Sequence, residues 1–229
     1  MEEVLATIPT RVTDDMNNMF LHPYSDTEIY EALQMMGPTK SPGPDGFNAF
    51  FFQQYRDIIG RDVMSQVKSI LAGDSIPSTL NHTHVVLIPK VKKPMYIAEF
   101  RPISLCNVVH KIITKVISIR LKKLLPLIIS ETQSAFIPGR LITENILIAY
   151  EVFHSMLNQS TRKGSMGIKV DMSNAYDHIE WTSLWKVMLK LGFRQRWVDV
   201  VMACVEFATF SFLINGTPQV FVKSSRGLW

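Results

Sequence analysis

The sequence predicts an α+β fold in one domain, and three observations lead there. Capped helical patterns and short apolar runs follow one another in mixed order, without the regular strand-helix repeat that builds a parallel α/β sheet. Hydrophobic residues are 47% of the 229-residue chain and charged residues 19%, enough to fill a core and too apolar for a disordered or polyelectrolyte chain. No Gly/Ser/Thr linker or internal repeat divides it. Apolar stretches such as Leu124 to Ile129, broken by Pro126, fall far short of the ~18 residues of a membrane span, so no membrane partner is expected. The acidic start Met1-Glu-Glu-Val4 has neither the basic region nor the apolar region of a secretory signal, which predicts an intracellular protein. Cys106 and Cys204 lack CxxC spacing and read as small buried hydrophobes.

The elements follow in order. Ser25-Asp-Thr-Glu28 is a capping box, and Ile29, Leu33 and Met36 continue at helical spacing until Gly37-Pro38. Lys40-Ser-Pro-Gly-Pro-Asp-Gly46 then predicts a tight, rigid excursion, because prolines fix φ and glycines permit close approach. Helices are expected over 47–59 and 62–72, the second closed by Gly73. His84 to Ile88 and Ile103 to Leu105 read as short strands around a basic loop. Residues 107–125 form an amphipathic helix: Val109, Ile112, Ile113 and Val116 make an apolar stripe, while Lys111, Lys115, Ser118 and Lys122 line another face. A loop or strand over 133–140, a helix over 143–158 and a turn over 161–165 come next. Residues 166–172 alternate Ile168, Val170 and Met172 with Lys169 and Asp171, the pattern of a strand with an acid near its end. Two helices, over 180–191 and 194–206, precede an alternating hairpin with strands Phe210 to Asn215 and Gln219 to Lys223 around a Gly216-Thr-Pro218 turn.

Charge is unevenly spread. Residues 1–81 carry five Lys/Arg against eleven Asp/Glu, net −6, whereas 82–123 carry nine against Glu99 alone, net +8; the remainder is +2. Such a basic block either gathers the phosphates of a nucleic acid or is a solvated lysine face. Asp171 is open in the same way: an Asp at this junction either caps the helix that follows or ligates a hard cation such as Mg²⁺.

The residues around it narrow the choice. Lys169-Val-Asp-Met-Ser-Asn-Ala-Tyr-Asp-His-Ile-Glu-Trp181 resembles the first catalytic-aspartate motif of reverse transcriptases from non-LTR, LINE-class retrotransposons, especially those of plants. Gly37-Pro-Thr-Lys-Ser-Pro-Gly-Pro-Asp-Gly-Phe47 is similar to the family's N-terminal motif. Leu87-Ile-Pro-Lys-Val-Lys-Lys93 with Phe100-Arg-Pro-Ile-Ser-Leu105 is similar to its first fingers motif, and Glu131-Thr-Gln-Ser-Ala-Phe-Ile-Pro-Gly-Arg140 to the next. Together with the hairpin leading to Ser224-Ser-Arg-Gly-Leu228, five motifs stand in the family's order over about residues 25–229.

The resemblance implies a polymerase right-hand fold: an extension over 1–24, N-terminal helices and fingers over 25–165, and an incomplete palm over 166–229, with the thumb absent. It implies template-directed dNTP addition to a DNA primer on an RNA template by two Mg²⁺ ions, and a nuclear site of action for a retrotransposon enzyme. Asp171 would be the catalytic metal ligand. Tyr176 would be the aromatic gate against a 2′-hydroxyl, or else plain packing. Lys90, Arg101 and Gln133 would meet the nucleotide, and Lys111, Lys115, Lys122 and Arg140 the nucleic acid. The family's Phe/Tyr-Ala-Asp-Asp turn is not in these 229 residues, and Asp14-Asp15, in a polar helical pattern, does not stand in for it. A truncated element, inactive alone and self-associating through an open sheet edge, is therefore expected. Alternatively it is a dead remnant that at most binds nucleic acid.

Overall fold

The Ser25 hydroxyl accepts a hydrogen bond from the Glu28 amide and the Glu28 carboxylate accepts one from the Ser25 amide, so the capping box forms and the third helix starts where its residues direct. The computed structural model describes residues 2–158, 164–172, 175–206 and 208–228. The helices are α1 Glu2–Ala6, α2 Asp14–Leu21, α3 Asp26–Gln34, α4 Ala49–Gln54, α5 Arg56–Ala72, α6 Val108–Ile128, α7 Ile142–Leu157, α8 Trp181–Leu191 and α9 Gln195–Glu206. Short 3₁₀ turns lie at Ile97–Glu99 and Ala175–His178.

Strands β1 His82–Pro89, β2 Phe100–Cys106, β3 Thr209–Ile214 and β4 Thr217–Lys223 form one sheet in the order β2-β1-β3-β4. β1 runs antiparallel to β2, with Ile88 opposite Arg101, and parallel to β3, with Val85 opposite Phe212. Asn215 and Gly216 both have positive φ, 52° and 79°, which fits the two-residue turn that matches strand twist in the β3–β4 hairpin.

The core is helical. α6 buries Val109, Ile112, Ile113 and Val116, the stripe its spacing predicts, against α3 and α5. Phe20 stacks on Trp197 at 4.6 Å and meets Phe193 at 5.3 Å, so α2 is locked to α9. Asn17 sits in the same corner, donating to the Gly192 carbonyl at 2.8 Å and accepting from the Arg194 amide at 2.8 Å. Val12, Met16, Asn17 and Phe20 of the expected extension are thus packed into the core.

Several expectations need correction. The helix expected over 47–59 splits: Tyr55 ends α4, and α5 begins at Arg56 and runs through Gly60. α6 continues past Pro126 to Ile128, because its last turn buries Leu124 and Ile128. The 133–140 segment is a loop with turns and not a strand. Residues 166–172 form no strand either; Ile168 is 74% and Val170 80% exposed, with no ladder partner. Phe210, on the inner strand β3, is buried at 5%. The turn expected at 161–165 begins outside the described residues, as do Ser173 and Asn174 of the aspartate motif and Trp229. Among the described residues no helix is long and apolar enough to cross a membrane.

Candidate nucleic-acid and nucleotide site

The N-terminal motif is folded onto the start of α6. Gly43 lies so close to the β2–α6 junction that a Cβ there would stand 2.5 Å from the Asn107 amide and 2.6 Å from the Cys106 carbonyl carbon. Asn107, buried, accepts from the Asp45 amide at 3.2 Å and donates to the Thr79 carbonyl at 2.9 Å, joining three segments. Beside this junction lies a cleft of about 490 Å³, in which Lys40 of the motif faces Lys111 and Lys115 of α6. Lys111 and Lys115 are half-buried; Lys122, two turns further on, is exposed and outside the cleft. Three lysines line one concavity with no carboxylate among its lining residues, which favours a polyanion. Lys40 was not singled out from the sequence, although its place in the motif was on view.

Lys90 follows the last residue of β1, and Arg101 lies on β2. The register sets Ile88 across from Arg101, and the Lys90 amide donates to the Glu99 carbonyl at 2.7 Å, so the two cations belong to neighbouring positions of one hairpin. Lys90 Nζ donates to the Ala98 carbonyl at 2.9 Å, while Arg101 is exposed. In the next motif Gln133 is exposed, with its carbonyl held by Arg140 at 2.7 Å. The Arg140 guanidinium also reaches the carbonyls of Ser130 at 2.5 Å and Pro126 at 3.1 Å, closing the carboxyl end of α6. Its N–H groups are occupied in holding the loop that carries Gln133.

Asp171 is exposed on the irregular segment after α7, where Gly167 passes so near the Phe153 ring that a Cβ would lie 2.6 Å from Cε1. Tyr176, 53% exposed, stands on the 3₁₀ turn. The segment after β4 is seated on that turn: the Leu228 amide donates to the Tyr176 carbonyl at 3.1 Å and the Gly227 amide to the Ile179 carbonyl at 2.8 Å. Trp181 Nε1 donates to the Gly227 carbonyl at 2.8 Å. Asp171 offers one hard oxygen ligand of the kind Mg²⁺ takes, but among the described residues no group of three His, Cys, Asp or Glu side chains converges. One ligand does not make a metal centre. No hydrogen bond or ion pair among the described residues links the α6 lysines, the Lys90–Arg101 hairpin, the Gln133 loop and Asp171 to one another.

A buried cation escaped the sequence reading. Arg120, 6% exposed, forks onto Glu28 with both contacts at 2.9 Å and lies 3.6 Å over the Tyr24 ring. The signal was present, because Arg120 continues the apolar stripe one turn after Val116. Burial pushes the Tyr24 hydroxyl up to about 12, so it stays protonated. Cys106 and Cys204 are half-buried beside His110, and burial pushes the Cys204 thiol up to about 12, which leaves it an inert thiol.

Comparison with known proteins closes the description. The chain is 29% identical over 227 residues to the Transposon TX1 uncharacterized 149 kDa protein of Xenopus laevis; the match takes in 99% of this chain and 17% of that relative. The chain therefore spans about one sixth of the length of the relative it matches. The family model for reverse transcriptase (RNA-dependent DNA polymerase) matches residues 88–225. That span is more than half of the chain, running from the end of β1 through Asp171 and Tyr176 to the end of the β3–β4 hairpin, and on it the chain belongs to the reverse transcriptase family.

Proposed function

We propose that the chain supplies the nucleotide- and template-handling part of an RNA-directed DNA polymerase of the non-LTR, LINE-class type, similar to those of plants. The observation that carries this reading is the family match over residues 88–225, which holds Asp171 and the Tyr176 turn together, with Gly227 and Leu228 just past its end seated on that turn. In this reading Asp171 gives one ligand to Mg²⁺, Tyr176 excludes a 2′-hydroxyl, and Lys90, Arg101 and Gln133 meet the dNTP. Lys111, Lys115 and Lys122 take phosphates of the RNA template and DNA primer, and Arg140 serves by fixing the Gln133 loop. Residues 25–165 act as fingers with 1–24 as their extension, and 166–229 open the palm, with the thumb outside these residues. β4, exposed along all seven residues at the sheet edge, is the surface for self-association. As a retrotransposon enzyme the protein would act in the nucleus.

These 229 residues by themselves are expected to add no nucleotide, because one motif aspartate does not hold two cations against their mutual repulsion. Primer extension on RNA with Mg²⁺ tests this. A longer polypeptide that also carries the family's Phe/Tyr-Ala-Asp-Asp turn should extend the primer and lose that activity in Asp171→Ala. Extension unaffected by Asp171→Ala would overturn the assignment.

A second reading, a nucleic-acid-binding module without catalysis, is favoured by the net +8 of residues 82–123 and the cleft of Lys40, Lys111 and Lys115. It is what remains if the longer polypeptide binds RNA–DNA hybrid but never extends. Both readings share one expectation. Replacing Lys111, Lys115 and Lys122 together with Gln should weaken hybrid binding and lower the salt slope by about 1 per lysine that touches a phosphate. An unchanged slope identifies the lysines as a solvated face.

A further inference from the structure

The helices cover part of one sheet face, and the remainder is hollow. Strand alternation brings Val85 and Leu87 of β1, Phe212 of β3 and Val222 of β4 to the same side, around a pocket of about 210 Å³. Val85 and Phe210 at its floor are 3% and 5% exposed, so the pocket reaches down to the buried layer and is not a surface dimple. No ionisable side chain lines it; Ser224 supplies the one polar side chain of the wall.

We propose that this pocket binds a small uncharged aromatic molecule of one or two rings. A charged ligand would lose its hydration against carbon walls with nothing to pair it. A partner helix is excluded by size, since a helix with its side chains is about 10–12 Å across. A carbon-lined concavity of about this size suits one or two aromatic rings, and one hydroxyl at the wall is the orienting group that such pockets commonly carry. The position gives the site a consequence. Phe100 and Pro102 line the pocket and flank Arg101, whose side chain the alternation sends to the opposite face. Ile97, on the turn that follows Lys90, closes another side. A bound ring therefore joins the Lys90–Arg101 hairpin to the β3–β4 hairpin from behind.

The test uses the 229-residue chain and indole as the probe, followed by methyl NMR. Saturable one-site binding is expected, with shifts centred on Val85, Leu87, Ile97 and Val222 and slower amide exchange over residues 95–100. Indole-3-acetate, charged but of similar shape, should bind about tenfold more weakly or worse, which is 1.4 kcal/mol. Val222→Trp, on an edge strand that tolerates aromatic residues, should fill the pocket and lower indole affinity by a similar factor while the chain stays folded. Should that variant misfold, the indole-3-acetate comparison and the shift map decide by themselves. Unsaturable or scattered shifts, equal binding of the charged analogue, or full affinity in a folded Val222→Trp would overturn the proposal. So would shifts at these methyls that vary with protein concentration before any indole is added, which would assign the pocket to a side chain of a second copy.

Discussion

Arg120→Met is expected to lower stability by about 3–5 kcal/mol, a large part of the ~5–15 kcal/mol that holds a domain of this size together. Arg120 is the joint between α6 and the chain from α2 to α3. It donates to the carbonyls of Phe20 at 2.8 Å, His22 at 2.5 Å and Pro23 at 3.1 Å besides its fork onto Glu28. Methionine fills much of the volume but leaves those carbonyls and the Glu28 carboxylate without their donor, and it is the unpaired partner that makes such a loss costly. Urea unfolding with an unchanged m-value measures the loss, and a shift below about 1 kcal/mol would show that the network is weak.

The same pair sets an acid limit. The Arg120 hydrogen bond, helped by the Ser25 amide and opposed by burial, holds Glu28 down at about 2 against its ordinary 4.5. A carboxyl depressed in the folded state contributes stability that is present above its unfolded pKa and lost as pH falls through the folded value. Stability should therefore drop between about pH 4.5 and 2, and Glu28→Gln should flatten that part of the profile. A profile in Glu28→Gln as steep as in the wild type would assign the acid limit to other carboxylates.

Gly43→Ala is expected to cost about 1–3 kcal/mol and to weaken nucleic-acid binding in the same step. The added Cβ would meet backbone, the Asn107 amide and the Cys106 carbonyl carbon, which does not swing aside as a flexible side chain would. The motif loop has to lift, which breaks the bond from the Asp45 amide to Asn107 and moves Lys40 away from Lys111 and Lys115. Asn107→Ala is the matched control: it removes the bonds to the loop and to Thr79 without adding bulk. A Gly43→Ala chain with wild-type urea midpoint and salt slope would mean that the loop is loosely held and the cleft is not one unit.

Local signals were legible because their physics is local. The capping box needs only Ser25 and Glu28, and the α6 stripe only its own spacing, whereas the hairpin turn sits at Asn215-Gly216 and not at the expected Gly216-Thr-Pro218. The order of motifs likewise pointed to the reverse transcriptase family from residues alone. The candidate site was legible as a set of residues but not as a place, because grouping Lys40 with Lys111 and Lys115, or turning Arg140 inward to carbonyls, depends on how segments far apart in sequence pack. Residues 166–172 make the division clearest. Their alternation is that of a strand, yet a strand exists only where a neighbouring backbone offers its N–H and C=O groups, and here Ile168 and Val170 stand exposed. β3, with a similar pattern, found such a neighbour in β1 and became the inner strand of the sheet. The sequence by itself determined the helices, the turns and the family. The tertiary structure decided which apolar segment is paired and which cation is buried, because burial and ladder hydrogen bonds belong to contacts between segments and not to any one of them.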